Sequence, residues 1–289
     1  MRSVKRSILA MINAVGRIIP KKIQRFIVDA PGVLYILEKL SIGQVARVKT
    51  PEGIRIVINS LFHSNLVKSG DLSGYETNIR EAITMYTRPG MVAYDIGANV
   101  GIFSFLFASL VGDTGSVYAF EPEPNNWICL EKSLEENKGI NITLDKRAIG
   151  NHQGQESFDR RGGAFSGRLV GDNETYSKTD NVLLVDTVSI DFLTKQCNYL
   201  VPDILKIDVE GNEGLVLEGM KNILQHKGPI IICELHTHLG ETVDKVKETL
   251  LEFDYSTYLI KGNNEGKINI QAISDITDAH HIVAIKNEN

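Results

Sequence analysis

The stretch Met91 to Gly101, MVAYDIGANVG, restricts this 289-residue chain more than any other. Met91 to Ile96 is a short apolar run, too short for a helix and long enough for a buried strand. Its only charge is Asp95, and Gly97, Asn99 and Gly101 follow. Ile102 to Val111 is then mostly apolar and free of Gly and Pro, as a helix packed on a sheet would be. The order is strand, tight glycine turn, helix. Such a turn brings backbone N–H groups and a helix N-terminus up to a ligand. Gly97 and Gly101 permit close approach because they carry no side chain. Asp95, at the strand's carboxyl end, can accept hydrogen bonds from a ligand amine or hydroxyl. On its own the pattern also fits a structural turn with no ligand.

The rest of the chain repeats the strand–helix alternation. Ser116 to Phe120 reads as a second strand ending in Glu121, 20 residues after Gly101. A nucleotide-binding βαβ unit places its ribose-binding acid at about that distance, because adjacent parallel strands end side by side. Pro122 and Pro124 end the strand, Asn125 to Lys138 reads as a helix, and Trp127 reads as core. Asn141 to Asp145 is a third strand running on into Lys146-Arg147-Ala148-Ile149-Gly150. Residues 159–181 are rich in Gly, Ser, Asn and Asp. They read as a lid or substrate loop with Arg160, Arg161 and Arg168 as anion contacts, or as a solvated loop. Val182 to Val185 is a further strand, and Ser189 to Gln196 a short capped helix.

Ile204 to Val209, ILKIDV, is a strong strand candidate in which Lys206, Asp208 and Glu210 fall at period two. Charges in an apolar strand at the carboxyl edge of a sheet point to function, with a surface ion pair as the plain alternative. Pro229 to Cys233 is an apolar strand running out into Glu234-Leu235-His236-Thr237-His238. Two histidines at that spacing could hold a metal, but no third ligand stands at a suitable distance along the chain, so no metal is expected. A polar strand end lining a cleft, with a histidine free to transfer a proton, is the simpler reading. Two last strands, Ser256 to Ile260 and His281 to Ile285, finish the domain. The expected fold is α/β, a Rossmann-like doubly wound sheet of seven mostly parallel strands with the last antiparallel. Residues 75–289 form this domain, and residues 1–74 a helical and hairpin extension.

That extension begins with a basic segment. Residues 1–28 hold Arg2, Lys5, Arg6, Arg17, Lys21, Lys22 and Arg25, and apolar residues recur there at helical spacing. Such a helix can lie at the inner face of a membrane, dock on a partner or pack on the protein's own body. A second helix is expected over Gly32 to Leu40, and a hairpin over Val45 to Ile58. The net charge of −5 argues against a nucleic-acid partner. Three widely spaced cysteines make no disulfide or zinc framework and fit a reducing, cytoplasmic compartment.

The glycine turn is not G-x-G-x-x-G, since Asn99 stands where a dinucleotide fold would want its middle glycine. It resembles the turn of class I S-adenosylmethionine-dependent methyltransferases. With Phe120-Glu121-Pro122, Val185 to Asp191, LKIDVEGNE at Leu205 to Glu213 and the CELH strand end, residues 75–286 resemble the FkbM methyltransferase family. The resemblance implies S-adenosylmethionine as cofactor and O-methylation of a hydroxyl on a sugar, glycan or secondary metabolite. It implies Asp95, Gly97, Asn99 and Gly101 around the cofactor's methionine portion, with Glu76 closing over it. Glu121, beside Pro122, would take the ribose hydroxyls, and Arg147 with Ala148 would sit by the adenine. Asp208 would face the transferred methyl. Asp208 and His236 are the candidate bases, with Lys206 or Glu210 orienting them. A nicotinamide-dependent oxidoreductase and a non-catalytic binding module are the rival readings.

Overall fold

The computed structural model describes residues 45–59, 63, 66, 71–160, 167–170, 182–236, 242–262, 268–277 and 279–287. The basic segment 1–28, the helix expected over Gly32 to Leu40, and Arg161 and His238 lie outside the described residues. The hairpin comes first, with β1 (Val45–Lys49) antiparallel to β2 (Arg55–Asn59). Then follow α1 (Thr77–Tyr86), β3 (Val92–Ile96), α2 (Ile102–Val111), β4 (Ser116–Phe120), α3 (Pro124–Glu136) and β5 (Ile142–Asp145). Four strands come next: β6 (Ala148–Ile149), β7 (Gly154–Asp159), β8 (Arg168–Val170) and β9 (Val182–Val188). The chain closes with α4 (Ile190–Gln196), β10 (Ile204–Ile207), α5 (Glu213–Glu218), α6 (Lys221–His226), β11 (Ile230–Glu234), α7 (Thr242–Glu252), β12 (Tyr255–Gly262), β13 (Ile268–Ile273) and β14 (His281–Lys286).

The main sheet has the order β13-β12-β14-β11-β10-β3-β4-β5. Strands β11, β10, β3, β4 and β5 run parallel, and β14 enters antiparallel beside β11. It is a doubly wound sheet carrying one strand more than expected, because β13 adds an antiparallel edge to β12. The chain leaves β3 in one direction, through β4 and β5, and returns on its other side at β10. The glycine turn therefore sits at the topological switch point, where such sheets bind ligands. The 182 strand runs on to Val188 and joins a separate sheet of order β6-β9-β7-β8. Within the stretch read as a loop, β8 pairs antiparallel with β7, so that stretch carries structure.

Helix α2 is buried on nearly every side, including Ile102, Phe103, Phe105, Leu106, Phe107 and Val111. A helix that apolar all round needs cover on its outer face too. Phe103, Leu106 and Phe107 pack towards the sheet, whereas Ile102 and Phe105 pack with Val48, Ile56, Ile58 and Leu72 from the N-terminal segment. The hairpin is fastened to α3 as well. Val57 N donates to Ser133 Oγ at 2.8 Å, and the Asn137 side chain donates to Arg55 O at 2.7 Å. Among the described residues no helix is long and apolar enough to cross a membrane.

His63 is completely buried beneath this layer, with Nε2 at 3.1 Å from Asn126 Oδ1. Burial pushes its imidazole from 6.5 down to about 4. A histidine kept neutral in this way stabilises the fold above its ordinary pKa, and that stability is lost as pH falls from 6.5 through about 4. The gap corresponds to roughly 3 kcal/mol at most. Thermal melts of the wild type are expected to fall steeply across that window. His63→Gln, which keeps an amide donor for Asn126, should flatten the fall, and equal slopes would show that His63 does not carry it.

Candidate active site

The turn after β3 is shaped by a backbone collision that a side chain would cause. Gly97 has φ +79°, and a Cβ there would stand 1.8 Å from the backbone oxygen of Asp208. Asp208 N in turn donates to Ile96 O at 3.0 Å. The ends of β3 and β10 are thus pressed edge to edge. Gly97 N and Ala98 N both donate to Phe120 O, tying the turn to β4 on its other side. Asn99 also takes a left-handed backbone, φ 52°, and its N–H points at Glu121.

Glu121 is held by three donors. Asn99 N donates to Oε2 at 2.7 Å, Glu123 N donates to Oε1 at 2.8 Å, and the Asn126 side chain adds a third bond. Burial nevertheless pushes this carboxyl up to about 8. Because Asn126 also meets His63, the N-terminal segment reaches the Glu121 carboxylate through one amide. Phe120, Pro122, Arg147, Ala148, Ile149 and Phe158 line the cleft beside it. Arg147 is locked in place by Asp145, with Nε at 2.9 Å from Oδ1 and Nη2 at 2.5 Å from Oδ2. Tyr199 holds Asp145 from the other side.

A second lobe opens past Gly97 and Asn99, lined by Tyr75, Glu76, Lys206, Asp208, Glu210 and Glu234. Lys206 is buried, 3.0 Å from Asp208 Oδ2 and 3.9 Å from Asp95 Oδ1. Burial alone would lower its pKa, but Asp208, Asp95 and Glu76 outweigh that and hold the ammonium above its ordinary value. Ser104 Oγ donates to Asp95 Oδ2 at 2.5 Å. His236 lies at the lobe's far side. Its Nδ1 is 2.7 Å from Glu213 Oε1, and its Nε2 is 3.3 Å from Glu210 Oε2. Burial opposes the imidazolium, but the Glu213 bond prevails and raises His236 to about 9.

The structure brings every expected site residue to this one edge of the sheet, with Gly101 at the head of α2 against Leu130. It does not leave Arg160 free for an anion. Arg160 is buried, its Nε and Nη2 donating to Glu123 at 2.7 Å each. Arg168 lines the cleft beside Asn126 and Arg147. Glu213 and Glu234 are the acids that reading by sequence passed over. Glu213 closes the LKIDVEGNE run and Glu234 is the second residue of the CELH run, so both stood inside the motifs.

The family pattern described as Methyltransferase FkbM domain matches residues 95–257, more than half of the chain. This chain belongs to the FkbM methyltransferase family. It is 29% identical over 175 residues to the hexuronic acid methyltransferase AglP of Haloferax volcanii, covering 60% of this chain and 67% of that one. It is 28% identical over 185 residues to the 31-O-demethyl-FK506 methyltransferase FkbM of Streptomyces tacrolimicus, covering 54% and 70%. A crystal structure of an FkbM methyltransferase from Methylobacillus flagellatus shares 16% identity, with a TM-score of 0.45 over 71% of this chain; the match spans 50% of that longer chain. An S-adenosylmethionine-dependent O-methyltransferase structure from Thermotoga maritima gives 16% identity and a TM-score of 0.43, covering 89% and 82%.

The protein is a methyltransferase, and S-adenosylmethionine is the expected cofactor of this FkbM domain. The residues present fit it. Two buried carboxylate oxygens, Asp95 Oδ1 and Glu76 Oε2, have no hydrogen-bond partner among the described residues. Burial raises the pKa of both groups. An ammonium such as the cofactor's would supply the missing donor and charge.

Proposed function

We propose that the chain methylates a hydroxyl oxygen on a sugar, glycan or secondary metabolite. The observation that carries this reading is the lobe beyond the glycine turn, lined by Glu76, Asp208, Glu210 and Glu234 with His236 beside them. A hydroxyl must lose a proton to become a nucleophile, and this lobe holds groups able to take one. A carboxylate acceptor needs no base and would be repelled by four carboxylates. One curated relative is named for a hexuronic acid and the other for a 31-O-demethyl compound, so both names are compatible with oxygen as the target.

In this reading Asp95, Gly97, Asn99, Gly101 and Glu76 surround the methionine end of the cofactor. Glu121, with three of its four lone pairs taken by Asn99, Glu123 and Asn126, keeps one for a ribose hydroxyl, beside Pro122. Phe120, Ala148, Ile149 and the locked Arg147 flank the adenine. When bound, S-adenosylmethionine supplies a methyl group on a sulfonium, which departs as a neutral thioether. The protein's remaining tasks are to line up the acceptor oxygen and to remove one proton. Glu210 and Asp208 are the groups placed for the second task, with Lys206 holding Asp208 and Glu213 holding the His236 imidazole beside them.

The test is the bond formed. The full chain is incubated with methyl-labelled S-adenosylmethionine and a panel of neutral sugars, uronic acids and hydroxylated macrolides. Alkali-stable methyl ethers are the expected products. Alkali-labile methyl esters on the uronic acids alone would overturn the hydroxyl reading.

A further inference from the structure

Three side-chain atoms converge at the far end of the acidic lobe. Asp208 Oδ1 comes from just beyond β10, Glu234 Oε1 from the end of β11, and His236 Nε2 from two residues further on. Nε2 is 4.0 Å from each of the two oxygens, and the three residues' ligand atoms lie within 4.8 Å of one another. The parallel pairing of Ile207 with Cys233 sets the two strand ends level, which chain order does not reveal.

Each of the three has its other polar atom beside a further polar group, by hydrogen bond for Asp208 and His236 and at ion-pair distance for Glu234. Asp208 Oδ2 accepts from Lys206 Nζ at 3.0 Å. Glu234 Oε2 lies 3.4 Å from His281 Nε2. His236 Nδ1 lies 2.7 Å from Glu213 Oε1, and Glu213, itself completely buried, also accepts from Gly211 N at 2.9 Å. The outer atoms are engaged and the inner atoms face one another. A histidine whose far nitrogen is held by a buried carboxylate is arranged as metal-ligating histidines are. Charge points the same way. Glu76, Asp208, Glu210, Glu213 and Glu234 stand against Lys206, His236 and His281, and Glu210 Oε2 adds another oxygen 3.3 Å from Nε2. Carboxylates gathered so closely around one ring nitrogen need positive charge between them.

We propose that Asp208, Glu234 and His236 hold a divalent cation of the magnesium or manganese kind at the methyl-accepting end of the cleft. Two carboxylates and one imidazole suit such an ion and leave positions open for an acceptor. The role rests on the hydroxyl reading above. An acceptor oxygen lying against the cation releases its proton more readily, since positive charge beside the oxygen favours the alkoxide. The O–H bond breaks with its proton passing to Glu210. The oxygen forms the new C–O bond as the methyl's bond to sulfur breaks, its electron pair staying on sulfur.

The full chain, stripped with EDTA, is titrated with Mn2+ while free ion is followed by paramagnetic resonance. One ion per chain is expected. Asp208→Asn and Glu234→Gln should each weaken binding by at least about 10-fold, and Glu213→Gln by about 10–100-fold. Retained S-adenosylhomocysteine binding by the variants would show that their fold is intact. No saturable Mn2+ binding, or equal binding by all three variants, overturns the site. Full transfer activity in EDTA also overturns it and leaves the hydroxyl reading standing. Mn2+ binding as expected, with only methyl esters formed, supports the ion site and overturns the hydroxyl reading.

Discussion

His236→Ala is expected to lower kcat by about 10²–10⁴-fold while S-adenosylhomocysteine still binds with nearly wild-type affinity. Asp208→Ala should do the same. The split follows from where the two residues stand. The groups assigned to the cofactor lie on β3 and the turn after it, on the segments after β4 and β5, and at Glu76 before α1. His236 lies past the end of β11, in contact with Glu213, Glu210 and Asp208. Removing it leaves the glycine turn, Glu121 and the Arg147–Asp145 pair untouched. The loss should therefore appear in turnover and not in the cofactor's KM, the pattern of an interaction made chiefly in the transition state. Wild-type kcat in both variants would remove the cluster from the mechanism. A parallel loss of S-adenosylhomocysteine affinity would make the residues structural instead.

Arg160→Met, one residue past β7, should be strongly destabilising. Among the described residues it leaves the Glu123 carboxylate, 2% exposed, with the backbone and side-chain N–H groups of Asn125 as its donors. Breaking one side of a buried ion pair costs about 3–5 kcal/mol. For a chain of this size that is a fall in Tm of roughly 10 °C. Cofactor affinity should drop as well, because the backbone N–H of Glu123 is one of the donors that hold Glu121. The double variant Arg160→Met with Glu123→Gln should recover most of the stability, since no unpaired charge then remains. Calorimetric melts of the two single variants and the double variant decide the matter. Additive losses would mean that the pair is not coupled and that Arg160 acts through other contacts.

The doubly wound sheet was legible because β3, β4, β10 and β11 are short apolar runs that end in acids and glycines, a pattern with few structural meanings. The residues proposed to hold the cofactor could be picked out for the same reason. Position along a strand decides which side chains reach the sheet's edge, and strand positions can be counted. Strand β9 was read in part, but its membership of a small separate sheet was not legible. Strands β7 and β9 of that sheet are amphipathic, and they pair across some twenty residues of turn-forming composition that hides a long-range partnership. Nor could Glu213 be told from an ordinary helix-start acid, because its partner His236 lies 23 residues away. Helix α2 did carry an unread sign. A helix apolar on all faces has two partners, and the second was the hairpin assigned to a separate extension.

The contact between Gly97 and the Asp208 carbonyl has a consequence for how such an enzyme can change over time. The turn proposed to grip the donor and the strand end proposed to face the acceptor share one van der Waals boundary, with no room for a hinge. The reach from donor to acceptor is thus built like a fixed gauge. A lineage can exchange the far wall to admit a new acceptor, but it cannot lengthen that gauge without dismantling the clamp on its cofactor. New specificities in this fold should arise by altering what is presented to the gauge, while the gauge itself stays as it is.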